Sequence, residues 1–466
     1  MTSRIVKIVI VVLIIVVIII GVLFALAIMK GKSSSQGQSS GGIFGTIFSL
    51  FNGGPEGTAS SSPTATIQSD SGAMVTIPRL RQVTKAPVAG AGFIQRVVAS
   101  TTVDNQGQVK NVSLVQTFIR YVDRATSHFF ETKPDSLDVA EITNTTLPKI
   151  YQALITNQGN SALLRYLGSD ENTIETSYVL VSTSTATTTT VGGNSGPKSL
   201  FTYALPENIT ELALSPGRDQ IFYLRAGGQG GIGSVASPNN AKPKQIFNFP
   251  LKEWQVSWPK TNTLTLTTRP SAYIPGYVFF MNSTTGSLTK VLGNVPGLTT
   301  LTSPDLSYIL FNESNTVDFD LNLFNTKSGS ASSLSLKTLP EKCVWSQKAT
   351  TVVYCAVPIL VKKGNYPDVW YQGSVFFNDN FWKINVQTGE RTVVARTADL
   401  TKQAIDAVNL SLDPNENYLM FTNKRDLTLW NLLITQPPGP IVSSSTPATT
   451  GPVVAPTSTP YTPPAH

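Results

Sequence analysis

The sequence predicts an all-β chain: a β-propeller of about seven blades, with six to eight allowed by the spacing, preceded by one transmembrane helix. Three observations carry this expectation. First, a short phrase recurs: Ser215-Pro216 precedes Ile221-Phe-Tyr-Leu, Ser303-Pro304 precedes Tyr308-Ile-Leu-Phe, and Asp413-Pro414 precedes Tyr418-Leu-Met-Phe. Second, the phrase keeps a period. With Trp258-Pro259 and Trp345-Ser-Gln filling two partial slots, the first four begin 43 to 45 residues apart, at 216, 259, 304 and about 347. An inserted loop delays the last to 414. A repeat of about 40 to 45 residues made of short strands marks propeller blades, each of which buries its faces only against its neighbours. Third, Ile8 to Met29 is a run of 22 residues without a charge.

That run comes first in the chain. As a helix it would span about 33 Å, enough to cross a hydrocarbon core. The competing reading is a cleavable signal peptide, with Ala25-Leu-Ala27 as the cleavage site. A signal h-region usually runs about 7 to 15 residues, so the run reads better as an uncleaved signal anchor. Residues 1–30 are thus expected to be a cytoplasmic tip and a single membrane span, with the rest of the chain extracytoplasmic. The +7 net charge supports no nucleic-acid partner. Arg4, Lys7, Lys30 and Lys32 account for +4, since no acidic residue precedes Glu56, and the remaining +3 is scattered.

Residues 31–73 form a Gly/Ser-rich linker with one apolar patch around Ile43 to Phe51. The propeller is expected over 74–434. Val88–Ile94, Phe118–Val122, His128–Thr132 and Val139–Thr143 alternate as strands and make one blade. Tyr151–Thr156, Ala162–Leu167 and Thr176–Ser182 supply a second, and five motif blades follow. The last blade, through Val408–Leu412, Tyr418–Thr422 and Leu427–Leu433, is one strand short. Met74–Pro78 is expected to fill that gap and tie the ends of the ring together. Residues 435–466 hold nine prolines and no ionisable acidic or basic side chain other than the final His466, so they read as a disordered Pro/Thr-rich tail.

The phrases Ser-Pro-Gly-Arg-Asp-Gln-Ile-Phe-Tyr-Leu (215–224), Ser-Pro-Asp-Leu-Ser-Tyr-Ile-Leu-Phe (303–311) and Asp-Pro-Asn-Glu-Asn-Tyr-Leu-Met-Phe (413–421) resemble the repeat of TolB-type, WD-repeat-like bacterial propellers. The resemblance implies that the motif forms the turn between the first two strands of a blade, with Pro and Asp setting the turn. It implies a fold rather than an activity, and the Trp-Asp dipeptide of true WD repeats is missing.

Chemistry-bearing residues are sparse. The chain has two histidines, His128 in a strand-like segment and His466 in the tail, so a catalytic triad or His-based metal site would rest on His128 alone. Gly228-Gln-Gly-Gly-Ile-Gly233 matches a dinucleotide fingerprint in spacing but is not followed by a helix. Asp318-Phe-Asp-Leu-Asn322 has the opening of a calcium loop without its glycine or its closing acid, and reads as a strand with one polar face. No cofactor is expected.

The two cysteines, Cys343 and Cys355, fall opposite each other if a short turn surrounds Lys348–Thr350, which predicts a disulfide across one hairpin. The insertion from Pro358 to Phe381 is dense in aromatics, and Tyr366, Trp370 and Tyr371 are the candidate partner contacts. The functional expectation is a non-enzymatic, membrane-anchored propeller that binds a protein or a cell-envelope polymer. The alternative is an envelope enzyme, for example one acting on glycans, with its site in the propeller funnel.

Overall fold

The computed structural model describes residues 65–68, 74–103, 108–156, 159–181, 201–435 and 459–460. The expected span at Ile8–Met29, the linker up to 64 and nearly all of the tail lie outside them. Among the described residues no helix is long and apolar enough to cross a membrane.

Seven four-stranded antiparallel sheets follow one another along the chain. Blade I is β4 (Val88–Val103), β5 (Val109–Asp123), β6 (Phe129–Thr132) and β7 (Val139–Glu141); blade II is β8 (Ile150–Thr156), β9 (Ser161–Leu167), β10 (Ile174–Leu180) and β11 (Phe201–Ala204). Blade III is β12 (Ile209–Leu214), β13 (Ile221–Gly227), β14 (Gly230–Ala236) and β15 (Lys244–Phe249); blade IV is β16 (Trp254–Lys260), β17 (Thr263–Thr268), β18 (Pro275–Asn282) and β19 (Leu288–Pro296). Blade V is β20 (Thr300–Thr302), β21 (Tyr308–Ser314), β22 (Phe319–Asn325) and β23 (Ser330–Leu336), with Thr459–Pro460 of the tail paired to its outer edge. Blade VI is β24 (Cys343–Trp345), β25 (Val352–Pro358), β26 (Asp379–Asn385) and β27 (Arg391–Arg396). Blade VII is β28 (Ala407–Leu412), β29 (Tyr418–Asn423) and β30 (Leu429–Leu433), completed by β3 (Leu80–Gln82) from the other end of the chain.

The strand that closes the ring is therefore Leu80–Gln82, not Met74–Pro78. Pro78 has no N–H for a ladder, and β2 (Met74–Ile77) pairs instead with β1 (Ala65–Gln68). Leu80 enters the apolar core between blades VI and VII. The arginines beside it lock the seam: Arg79 Nη2 donates to Val394 O at 2.8 Å in blade VI, and Arg81 Nη2 to Lys133 O at 3.2 Å in blade I.

Burial follows the ring. Seven apolar clusters occupy the seven blade-to-blade interfaces, from Ile94, Phe118 and Val179 between blades I and II to Phe93, Tyr121 and Met420 between VII and I. This is why the strands read as alternating or continuous apolar runs rather than as helices. At Gly90 the inner strands of blades I and II come so close that a Cβ would sit 1.9 Å from Ala153 O. An alanine there cannot be placed without parting the blades.

The recurring motif forms the turn between the first two strands, as the resemblance implies. Ser303 Oγ accepts from Tyr308 N at 3.0 Å and donates to Asp305 at 2.7 Å; Ser215 does the same with Gln220 N and Asp219. Asp413 Oδ1 replaces the hydroxyl in blade VII, accepting from Tyr418 N at 2.6 Å. These turns define one face of the ring, the turn face. The opposite face, the cap face, carries the links between blades and the loops between second and third strands.

Two departures from the sequence reading stand out. The first hairpin is longer than expected: β4 and β5 pair from Val88–Asp123 to Val103–Val109, while β6 pairs only with Ile119–Val122. The excess is a two-stranded arm at the turn face, sustained by the β-branched run around Val97 and Val115. The other is the insertion between β25 and β26, which folds over the cap face.

Candidate functional site

The insertion, residues 359–378, is a built body. It holds an eighth apolar cluster in which its own Tyr366, Trp370 and Phe377 pack on Phe319 and Leu339 of the ring. The Tyr366 ring lies 4.8 Å from Phe319 and stacks on Phe377 at 5.8 Å. A one-turn helix, α1 (Asp368–Tyr371), follows Pro367 and sets Trp370 inward. We call this body the cap.

Its hydrogen bonds reach three other blades. In blade IV, Ala272 N donates to Asp368 Oδ2 at 2.6 Å and Gln255 Nε2 to Tyr371 Oη at 3.0 Å. In blade V, Ser314 Oγ donates to Tyr366 O at 2.6 Å, and Gly364 N to Val317 O at 3.0 Å. In blade VII, Lys424 Nζ donates to Trp370 O at 2.8 Å and Arg425 Nη2 to Phe377 O at 3.0 Å.

Beneath the cap, between blades VI and VII, lies a buried ion cluster. Lys342, Asp379 and Asp406 have no exposed side-chain surface. Lys342 Nζ is 2.8 Å from Asp379 Oδ2 and 2.5 Å from Asp406 Oδ1, and donates to Ala407 O at 3.0 Å. Asp406 Oδ2 accepts from Trp370 Nε1 and from Phe377 N, both at 3.0 Å, so one carboxylate holds both ends of the cap's aromatic core. Asp379 Oδ2 accepts from Ala407 N at 2.7 Å. Burial pushes the Asp379 carboxyl up to about 6; Lys342 pulls it down and Asp406 pushes it further up. The ammonium groups of Lys342 and Lys424 lie 5.5 and 5.1 Å from the Trp370 ring centre. Burial lowers the Lys424 ammonium, which Asp406 partly restores.

A second polar line runs along the inner strands of blades III and IV to the link before blade VI. Glu211 on β12 accepts a bond from Val256 N on β16. The neighbouring Gln255 meets Tyr371, whose hydroxyl donates to Glu341 Oε1. Burial raises Glu341 above the ordinary carboxylate range, with Tyr371 opposing, and raises the Tyr371 hydroxyl well above its usual value, with Glu341 adding to the effect. Burial likewise pushes Glu211 up to about 7, against the pull of Arg165, Val256 N and Arg269.

Glu211 gives a pH prediction. Its folded-state value exceeds the ordinary 4.5, so between those values the folded chain keeps a proton that the unfolded chain has lost. The stabilisation is complete below 4.5 and is lost as pH rises through about 7. Glu211→Gln should therefore be more stable than the parent at about pH 8, by roughly 1–3 kcal/mol, and equal to it at about pH 4. Urea unfolding at both values checks this, and identical pH slopes for the two proteins would contradict it.

Of the candidate contacts, Tyr366 and Trp370 are corrected. They are 0% and 3% exposed and form the cap's interior, because an insertion of this length needs a core of its own to hold one shape. Tyr371 keeps 38% of its surface in solvent while its hydroxyl is engaged. Cys343 and Cys355 face each other in register, Cα–Cα 4.0 Å, and are joined by a disulfide. His128 is held by Glu141 at 2.7 Å and Thr146 at 3.0 Å. Asp318 and Asp320 share Lys337, and the glycine-rich stretch is the β13–β14 hairpin. Among the described residues no cluster of His, Cys, Asp or Glu is arranged to hold a metal ion.

Sequence reasoning missed Lys342, Asp379, Asp406, Glu211 and Glu341. Lys342, Asp379 and Asp406 meet only where blades VI and VII pack, Glu211 meets Val256 N across blades III and IV, and Glu341 meets Tyr371 of the cap, so no local spacing marks them.

Comparison with protein-family models finds no match, and neither does comparison with curated proteins. Solved structures do match. An oligogalacturonate lyase in complex with manganese aligns over 80% of this chain and 97% of its own, at 9% identity and a TM-score of 0.48. TolB from Acinetobacter baumannii aligns over 64% and 78%, at 9% identity and 0.38. A putative TolB from Agrobacterium tumefaciens aligns over 48% and 73%, at 12% identity and 0.33. Likeness this distant says nothing about activity or ligand.

Proposed function

We propose that this chain is a membrane-anchored, extracytoplasmic propeller that acts as a non-enzymatic binding or scaffold module for a protein or another envelope component. The observation that carries the reading is how its carboxylates are used. Asp379 and Asp406 are both enclosed and paired with Lys342; Asp406 holds the cap through Trp370 Nε1 and Phe377 N, and Asp379 Oδ2 ties blade VI to Ala407 N of blade VII. Such an arrangement gives a fixed surface rather than a reactive group open to substrate. The anchor rests on the uncharged run Ile8–Met29.

The second reading, a glycan-acting enzyme of the envelope, has one observation in its favour. A desolvated carboxyl near 7, such as Glu211, is in the range for a proton donor at neutral pH. The two readings separate in one experiment. Full-length chain in detergent is incubated with envelope extract and, in parallel, with purified envelope glycan. The binding reading expects a stoichiometric retained partner and no soluble fragments. Fragments that disappear with Glu211→Gln would overturn it in favour of the enzyme. Protease added to intact cells should reach the propeller; protection until lysis would contradict the extracytoplasmic placement.

A further inference from the structure

Beyond the body of blade I, β4 and β5 continue as a ladder of two strands, from the pair Val97–Val115 to the pair Val103–Val109. β6 reaches only Ile119–Val122, and among the described residues no strand pairs with the outer edge of β5 from Val109 to Thr117. Two strands alone are marginally stable in water, and a sheet of this kind needs at least a third. The side chains agree. Val97, Val109 and Val115 are 68%, 66% and 66% exposed, and Leu114 is 50% exposed. Little blunts the edge: from Val109 to Thr117 there is no proline, no acidic residue and no break in register, and Lys110 is the one charged residue.

The backbone sets what such an edge can take. Asp123 N donates to His128 O across the β5–β6 turn, so the odd-numbered residues of β5 point to its outer side. Val109, Asn111, Ser113 and Val115 therefore each turn an N–H and a C=O outward. Donors and acceptors alternating at that spacing are matched by another extended polypeptide, not by a headgroup or a small anion.

The residues along the edge then select the strand. Laid antiparallel against a second copy of itself about a two-fold axis at Val112, β5 matches like with like. Val109 meets Val115, Asn111 meets Ser113, and Val112 meets Val112. Odd positions meet odd positions, as the ladder requires. Lys110 falls opposite Leu114, so the charge does not meet its own kind. Moving the axis to Asn111 sets Val109 against Ser113, and moving it to Ser113 sets Asn111 against Val115; both lose the match. The edge of β4 is the poorer candidate, because β4 is the innermost strand of its blade and faces the ring axis.

We propose that the arm is a dimerisation element, in which β5 pairs with β5 of a second copy of this chain about a two-fold axis at Val112. Two marginal two-stranded arms become one four-stranded sheet, joined through a self-complementary edge. The proposal goes beyond the binding reading and does not depend on it.

The test uses full-length chain in detergent, with its mass followed by light scattering after subtraction of bound detergent, and single-cysteine variants for cross-linking. The native Cys343 and Cys355 are joined to each other and do not interfere. The parent should pass from monomer to dimer over about a hundredfold range of concentration. Val112→Cys should give a disulfide between two copies on mild oxidation, since facing residues that are not hydrogen-bonded stand about 4.5 Å apart. Leu114→Cys, on the same side of the strand, should not, because this register sets its two copies about 14 Å apart. Val109→Cys mixed with Val115→Cys should cross-link more than either alone. Val112→Asp brings two carboxylates face to face and should weaken dimerisation by about tenfold or more, with a melting curve matching the parent. A parent that stays monomeric at every concentration, equal cross-linking of Val112→Cys and Leu114→Cys, or a dimer that survives Val112→Asp would each overturn the proposal.

Discussion

Lys342→Ala is expected to cost about 3–5 kcal/mol of folding stability, the usual penalty for leaving buried charge without its partner. The side chain has no contact with solvent, and its ammonium lies between two carboxylates that are equally enclosed. Without it, Asp379 and Asp406 face each other in a space that water does not reach. Asp379 already titrates near 6 with the lysine present, so its removal would drive that carboxyl further towards the neutral form. Lys342→Met combined with Asp379→Asn and Asp406→Asn should recover most of the loss, because replacing a whole buried ion group is far less costly than breaking one. Chemical unfolding of the single and triple variants measures both. A loss below about 1 kcal/mol for Lys342→Ala would mean that water enters the cluster and the charges are not sealed.

Trp370→Ala should cost locally what a buried tryptophan usually costs, about 3–5 kcal/mol, yet should leave the ring folded. The reason is where the side chain sits. It belongs to the cap's own cluster, which draws Phe319, Leu339 and the partly buried Val408 from the ring, while the seven inter-blade cores do not contain it. Its indole N–H is also the donor that ties α1 to Asp406. The loss should therefore appear as local opening rather than global unfolding. Limited proteolysis should cut Trp370→Ala within 359–378 at a rate at least tenfold above the parent, with the ring's main unfolding transition retained. Equal cutting rates would show that the cap does not depend on this core.

Much of the fold was legible because it is periodic. The Ser-Pro and Asp-Pro turns place a hydroxyl or carboxylate five residues before the amide it caps, and such local geometry leaves a local signature. The cysteine register was readable for the same reason, since one hairpin fixes it. Ring closure was legible in kind but not in position. That one strand was missing followed from counting, whereas the choice of Leu80–Gln82 depended on Leu80 finding the core of a blade far along the chain. The cap shows the limit most clearly. Its aromatics were visible, but composition alone does not distinguish a surface made to touch a partner from a core needed to hold a long loop. Tyr366 and Trp370 turned out to be core, while the exposed Ile359 and Leu360 drew no attention in an apolar run. The ion cluster had no signature, because Lys342 and Asp406 sit on two different links and Asp379 at the start of β26, and the three meet only where blades VI and VII pack.

The account depends on the cap being a fixed part of the ring, and hydrogen exchange measures that directly. The informative amides are Gly364, bonded to Val317 O, and Phe377, bonded to Asp406, with strands β25 and β26 as internal reference. In the full-length chain both amides should exchange within about an order of magnitude of the neighbouring strand amides, since opening them requires breaking a buried ion cluster and an aromatic core together. Exchange at the rate of an unstructured loop, with β25 and β26 still protected, would contradict the account.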